Sequence, residues 1–376
     1  MGLLLNRRRM MMGRGDEVIM TSSSNPEVMS ICYSQGWCAS ADKMTKTEAE
    51  SVTNIGTAFR SSNIVHFDEL QYFGITNIPN QAFFQCAGLT SIVLPNAVTS
   101  IGNYAFFQCA NMDMPSLPIS LTLVRQNAFY GCSALTLSTL PSNCTLEEQA
   151  FYNCQLVTFS TMPNMTAIPQ GLFFGCTNVT FSELPSSVTS IGNQAFYQCT
   201  NISFSELPNS LTSIGVWAFR ACTRITISEL PSGLTSIGQG AFYGCTGITI
   251  SEIPQGVSVV STYSFFGCTG ITRMSISHGV ETFADHVFMN CTNLASVSIP
   301  STVTSMGVNC FNNCTKLGDI TCLAPTAPTV METTFLGTGT RASEKVLQVP
   351  SGASGYNESY WQTVLQDTNG FTLTYI

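Results

Sequence analysis

Charge is scarce in this sequence. Of 376 residues, 14 are lysine or arginine and 22 are aspartate or glutamate, together 10% of the chain. No basic stripe exists to follow a phosphate backbone, which argues against nucleic acid as a partner. Histidine is rarer still: His66, His278 and His286 are scattered, the last two at turn positions of one repeat that read as exposed. No Ser–His–Asp order, GxSxG, HExxH or phosphate loop occurs, so no catalytic residue is named and the chain reads as non-enzymatic. No apolar run reaches 18 residues, so no transmembrane helix is expected. No CxxC pair occurs, so zinc is not implied, and no cofactor or metal is expected. The N-terminus lacks a long apolar core before a small-residue cleavage site, so no signal peptide is recognised. Gly2 is not followed by Ser or Thr at position 6, which is Asn6, and this speaks against myristoylation.

Low charge does not mean disorder here, because 44% of the residues are hydrophobic. They are also regularly spaced. A phenylalanine followed three residues later by a cysteine recurs as Phe83/Cys86, Phe106/Cys109, Phe129/Cys132, Phe151/Cys154, Phe173/Cys176 and Phe196/Cys199. The series continues through Phe219/Cys222, Phe242/Cys245, Phe265/Cys268, Phe288/Cys291 and Phe311/Cys314. The steps are 23 residues, with 22 twice in the middle. A fixed period in this range marks a solenoid. Ile55-Gly56-Thr57-Ala58-Phe59 gives a first copy without cysteine, and Thr334-Phe335-Leu336-Gly337 a last, degenerate one. Four segments follow: a polar arm over 1–28, a short helical segment over 29–54, repeats over 55–322, and a terminal segment over 323–376.

Sixteen cysteines suggest disulfides, but their positions do not. Eleven belong to the periodic set. Cys144, Cys310 and Cys322 replace Val188, Ala195 and Ile299 of other repeats. Identical positions in stacked coils point their sulfurs in parallel, so these cysteines read as free, buried, small hydrophobes.

One repeat shows the local logic. Ile225 and Ile227 alternate with Thr226 and Ser228, as on a short strand with apolar residues inward. Pro231 and Gly233 turn the chain, Leu234 and Ile237 point in again, and Gly238 turns once more. Ala241, Phe242 and Cys245 then fit a helical turn. Stacking sets each phenylalanine on the next and builds an aromatic spine.

The pattern LPxxLTSIGxxAFxxCTxIT resembles the BspA-type leucine-rich repeat. In one copy it is carried by Leu207-Pro208, Leu211-Thr212-Ser213-Ile214-Gly215, Ala218-Phe219, Cys222-Thr223 and Ile225. The resemblance covers about residues 55–322. It implies an α/β repeat solenoid: a right-handed leucine-rich-repeat coil with short strands on a concave face and short helical turns, capped at both ends. It also implies a surface-associated, often adhesive protein of the kind found in bacteria, some protists and phages of gut bacteria. The segment from Val346 to Gly352, with Tyr356 and Trp361, looks like the C-terminal cap of such proteins. The stretch from Trp37 to Phe59 resembles an EF-hand or dockerin-like calcium loop, but a degenerate one. Cys38 and Ser40 stand where acids belong and Lys43 replaces the turn glycine, which leaves Asp42 and Glu48 as the only plausible ligands.

The strand face carries columns of small polar residues. Thr180, Ser203, Thr226 and Thr249 form one, and Ser182, Ser205, Ser228 and Ser251 another. Beside them runs an acidic column, Glu183, Glu206, Glu229 and Glu252. Flanking repeats place Thr139, Thr161 and Ser275 nearby instead. Such a column suits either a solvated edge or a recognition surface for a basic partner or cations. The serine and glutamate columns are the candidate partner-binding residues. Arg14-Gly15-Asp16 is an integrin-type tripeptide of the kind that recurs by chance. Asn178-Val-Thr and Asn201-Ile-Ser are sequons produced by the repeat consensus. The expected function is adhesion or recognition of a protein or glycan on a cell surface, extracellular or surface-attached. The alternative is a structural or host-attachment component of a phage virion.

Overall fold

The computed structural model describes residues 16–338, 345–357 and 361–376. Residues 1–15, with most of the expected arm and Arg14-Gly15, lie outside the described residues. The chain divides into two compact units, residues 1–150 and 151–376. Each is a parallel β-solenoid with few helices.

The first unit begins with order where the sequence suggested an arm through residue 28. Strand β1 (Val18–Thr21) pairs antiparallel with β2 (Lys43–Thr45). Helix α1 (Pro26–Ser34) opens on a proline in its first turn, and α2 (Lys46–Ser51) opens on a capping box. In that box Glu48 accepts the Ala39 N–H and the Thr45 N–H, both at 2.8 Å, and Thr45 Oγ1 accepts the Glu48 N–H. These amides, Ala39 first and Thr45 next, hold the Glu48 carboxyl below its usual range. Of the two residues read as degenerate calcium ligands, Glu48 therefore closes the 39–45 loop itself. Beyond this segment, two-residue strands stack in parallel: Asn77–Ile78, Ser100–Ile101, Leu123–Val124 and Thr145–Leu146. The second residue of each is buried.

The Phe-centred stretch is not the helical turn that the spacing suggested. In the second unit, the N–H groups of Gln194, Phe196 and Gln198 donate to Val216, Ala218 and Arg220 of the next coil, at 2.8–2.9 Å. The alternate N–H groups of Ala195, Tyr197 and Cys199 donate three residues back, to Gly192, Gln194 and Phe196. A helix would direct every N–H four residues back along its own axis. Here half of them point along the stack instead. This zigzag needs a left-handed backbone at two positions per coil, met by Gln194 (φ 57°) and Gln198 (φ 58°). Asn309 and Asn313 or Gly240 and Gly244 fill the same positions elsewhere, as residue types that tolerate this region do. Close stacking also explains the glycine of the SIG motif. A Cβ on Gly238 would fall 2.6 Å from the backbone of Gly215 and Val216.

In the second unit, Ala167–Ile168, Ser190–Ile191, Ser213–Ile214 and Ser236–Ile237 form one parallel sheet. The threonines before these strands form a hydroxyl ladder: Thr212 Oγ1 donates to the Thr189 carbonyl and Thr235 Oγ1 to that of Thr212, both at 3.0 Å. A six-stranded sheet runs from Glu252–Ile253 through Arg273–Ile276, Ser296–Ile299 and Asp319–Cys322 to Val346–Val349 and Thr372–Tyr375. The terminal segment thus extends the sheet. Trp361 packs on Phe335 at 5.7 Å, and Tyr356 donates to the Ala324 carbonyl at 2.9 Å.

The phenylalanines stack in both units. Phe83–Phe106 and Phe106–Phe129 have centroids 5.2 and 5.3 Å apart. Phe219 lies 5.5 Å from both Phe196 and Phe242, within 13° of parallel. Phe335 continues the series at 5.3 Å from Phe311, so the degenerate copy is a true coil. All sixteen cysteines are buried as thiols. They do more than fill space: Cys222 Sγ donates to the Phe196 carbonyl of the previous coil at 3.0 Å, and Cys245 Sγ to that of Phe219 at 2.9 Å. The Phe196 carbonyl also accepts the Cys199 N–H, so both of its lone pairs are used.

Truncating one ring opens a cavity bounded by two others. Phe219→Ala is expected to lower unfolding free energy by about 3–5 kcal/mol, read from urea denaturation. The thiols give a pH dependence. Burial pushes Cys176, Cys199, Cys222, Cys245, Cys268 and Cys314 up, and Cys291 up to about 12. An unfolded thiol ionises near about 8.5. The folded state therefore binds more protons above that pH, and stability, full below it, falls as pH rises toward the folded values. The urea midpoint should drop between pH 7.5 and pH 9.5, and Cys291→Ala should make the drop shallower. An unchanged midpoint would contradict the burial argument.

Candidate functional site

Apart from Glu252, which opens the Glu252–Ile253 strand, the candidate residues sit where the stack lacks regular strands. In repeats such as 225–230, Ile225 and Ile227 are buried, whereas Ser228 and Glu229 both face solvent. Two successive outward residues break the period-two alternation a strand requires. Only one amide per coil bridges there: Thr180 to Phe159, Ser203 to Phe181, Thr226 to Phe204 and Thr249 to Ile227, at 2.8–3.0 Å. The expected strand through Ile225–Ile227 is thus an irregular segment. Further along, Arg273–Ile276 restores alternation, with Met274 and Ile276 buried, and a four-residue strand forms.

Shallow hollows open between adjacent coils at these irregular segments. One, of about 480 Å³, is lined by Ser228, Glu229, Ser251, Glu252, Gln255 and Ser277. The next, of about 400 Å³, is lined by Ser205, Glu206, Ser228, Glu229, Asn209 and Ser232. A third, of about 340 Å³, holds Ser182 and Glu183 with Thr161 and Asn164. The structure therefore brings the serine and glutamate columns together, with carboxylates of neighbouring coils facing one hollow in two of the three cases. Glu252 is positioned by the Ser277 hydroxyl, which donates to its Oε1 at 2.7 Å. Glu183, Glu206 and Glu229 make no hydrogen bond or ion pair among the described residues.

The histidines do not converge. His278 is exposed. His286 is half-buried rather than exposed, stacked 4.6 Å from Tyr263, with Nε2 3.1 Å from Asn309 Nδ2. His66 lies in the first unit, its carbonyl accepting from Asn25 Nδ2 at 2.9 Å. Among the described residues, no helix is long and apolar enough to cross a membrane, and no group of three His, Cys, Asp or Glu side chains is placed to hold a metal.

A second column escaped the sequence reading. From Phe173 to Phe265 in the second unit, the residue after each spine phenylalanine is Phe174, Tyr197, Arg220, Tyr243 and Phe266, all half-buried. Phe174–Tyr197 and Tyr243–Phe266 stack at 4.3 and 4.4 Å. The signal was in the same period, one position beyond the phenylalanine.

Among solved structures, the chain is similar to a leucine-rich repeat protein from Bacteroides ovatus, with 22% identity, a TM-score of 0.55, and coverage of 81% of this chain and 88% of that one. It also aligns with a leucine rich cell surface protein from Faecalibacterium prausnitzii, with 23% identity, a TM-score of 0.43, and coverage of 66% and 83%. A leucine-rich repeat protein from Eubacterium ventriosum aligns at 22% identity, with a TM-score of 0.47 and coverage of 72% and 82%. No curated protein matches the chain. The BspA type Leucine rich repeat region matches in six copies, over residues 53–180, 166–291 and 236–339. With most of its length matched in register, the chain belongs to the BspA-type leucine-rich repeat family.

Proposed function

We propose that this protein is a non-enzymatic recognition protein that presents its repeat surface to a protein or glycan on a cell surface, and that it acts outside the cell or attached to its exterior. In this reading the repeats of 55–322 are closed by residues 29–54 at one end and 323–376 at the other. The observation that carries the reading is the row of hydroxyl-lined hollows, two of them flanked by carboxylates from successive coils. A repeated concavity of this kind suits an extended partner better than a small substrate, and its charge selects a basic one. The serine hydroxyls of Ser182, Ser205, Ser228 and Ser251 supply hydrogen bonds beside the charge. Membership of a repeat family used for binding supports the same conclusion.

Purified protein screened against matrix proteins, glycans and bacterial surfaces should retain a basic partner. That binding should weaken with salt, because exposed charges are screened within about 8–10 Å. The combined variant Glu183→Gln, Glu206→Gln, Glu229→Gln and Glu252→Gln should lose most of this salt dependence. Its stability should shift by under about 0.5 kcal/mol per site, as exposed polar exchanges usually do. Binding as tight as the parent's would remove the hollows from the interface. Capsid and tail genes adjoining this one would move the assignment to a virion component.

A further inference from the structure

Arg220 occupies an unusual setting in the second column. Its guanidinium lies 4.9 Å from the Tyr197 ring, 5.0 Å from Tyr243 and 5.4 Å from Trp217. The Trp217 ring in turn lies against Gly240, where an added Cβ would come within 2.0 Å of ring carbons. Trp217 also contacts Tyr243 at 5.6 Å and stacks toward Tyr263 at 6.3 Å. The guanidinium is thus fixed on three sides by rings that are fixed themselves. Its five N–H groups lie in the guanidinium plane, and it has no hydrogen bond or ion pair among the described residues. By comparison, Arg60 in the first unit touches one ring, Phe84 at 5.0 Å, and is exposed.

We propose that Arg220, framed by Tyr197, Trp217 and Tyr243, is a docking site for an acidic protein segment, with the guanidinium fork holding a carboxylate of the partner. Three features support this. The fork matches a carboxylate in bidentate geometry, and its immobilisation removes side-chain entropy that binding would otherwise cost. Arginine, tyrosine and tryptophan are the residues that dominate protein–protein hot spots. The ring faces are already occupied: Tyr243 stacks on Phe266 at 4.4 Å, and the guanidinium covers Tyr197 and Tyr243. A sugar ring packs on a free aromatic face, whereas ring edges, phenol hydroxyls and the fork suit a peptide. The site is independent of the acidic hollows and opposite to them in charge preference.

A fluorescein-labelled Glu/Tyr copolymer serves as the probe, titrated by anisotropy with polygalacturonate as the acidic glycan control. The chain carries a net charge of −8, so unspecific attraction of this probe is disfavoured and binding reports a local site. The copolymer is expected to bind and polygalacturonate not to compete. Arg220→Gln should weaken binding about 10-fold or more. Arg220→Lys, which keeps the charge but not the fork, should weaken it nearly as much while the urea midpoint stays at the parent value. Should Arg220→Gln fail to fold, the lysine variant carries the comparison. The four-glutamate Gln variant should bind the copolymer as the parent does, which separates this site from the hollows. Absence of copolymer binding, or undiminished binding by the arginine variants, overturns the proposal. Arg220-dependent binding of polygalacturonate in preference to the copolymer also overturns it, by giving the site to an acidic glycan.

Discussion

Every coil of this protein depends on how it divides its amide groups. Around the spine phenylalanines from Phe83 to Phe311, alternate N–H groups serve the coil's own turn and the neighbouring coil. Gln194, Phe196 and Gln198 face along the stack, while Ala195, Tyr197 and Cys199 face back. Buried amides must be paired, so once one coil adopts this division its neighbour must present carbonyls at matching height. That requirement fixes the register at 22 or 23 residues. It also forces the left-handed pair of residues and brings the backbones close enough to exclude a Cβ at Gly238. The ring stack and the thiol ladder then follow at the spacing already set.

The period, the buried phenylalanines and cysteines, and the last coil at Phe335 were legible because each depends on which residue recurs, not on backbone geometry. The zigzag was not legible. Ala241, Phe242 and Cys245 have helical spacing, and nothing in that spacing shows that amides leave the segment for a chain 22 residues away. The left-handed positions were masked because Trp217, Tyr263 and His286 share them with glycine and asparagine. The cysteines were correctly placed inside, but their donor role depends on a carbonyl 26 residues earlier, beyond any local pattern. Glu48 looked like the remnant of a metal ligand, although capping is the commoner use of a glutamate three residues after threonine. The glutamate column was readable from its period. The hollows were not, because they arise from two outward residues in succession, Ser228 and Glu229, where a regular strand would allow one.

On the two proposals made above, the second unit carries two surfaces of opposite charge on one repeating frame. Both are built from positions the frame leaves open: the outward pair that breaks strand alternation, and the residue following the spine phenylalanine. Neither position lends its side chain to the amide division, so either side chain can change without disturbing the register. In both, a single coil does little. A hollow needs two coils, and the arginine cage draws on rings from three, at Tyr197, Trp217 and Tyr243. Specificity in such a protein is a property of the order of coils as much as of their sequence.

The ladder also has a mechanical meaning. Each coil is tied only to its neighbours, by bonds that run along the stack. Tension applied to an end therefore loads one interface at a time and peels coils singly. A peeled coil of 23 residues releases roughly 75–80 Å of extended chain, while the stack shortens by only about 5 Å. A molecule built in this way yields in small, repeatable increments, lengthening under load while the coils behind the rupture keep their surfaces intact.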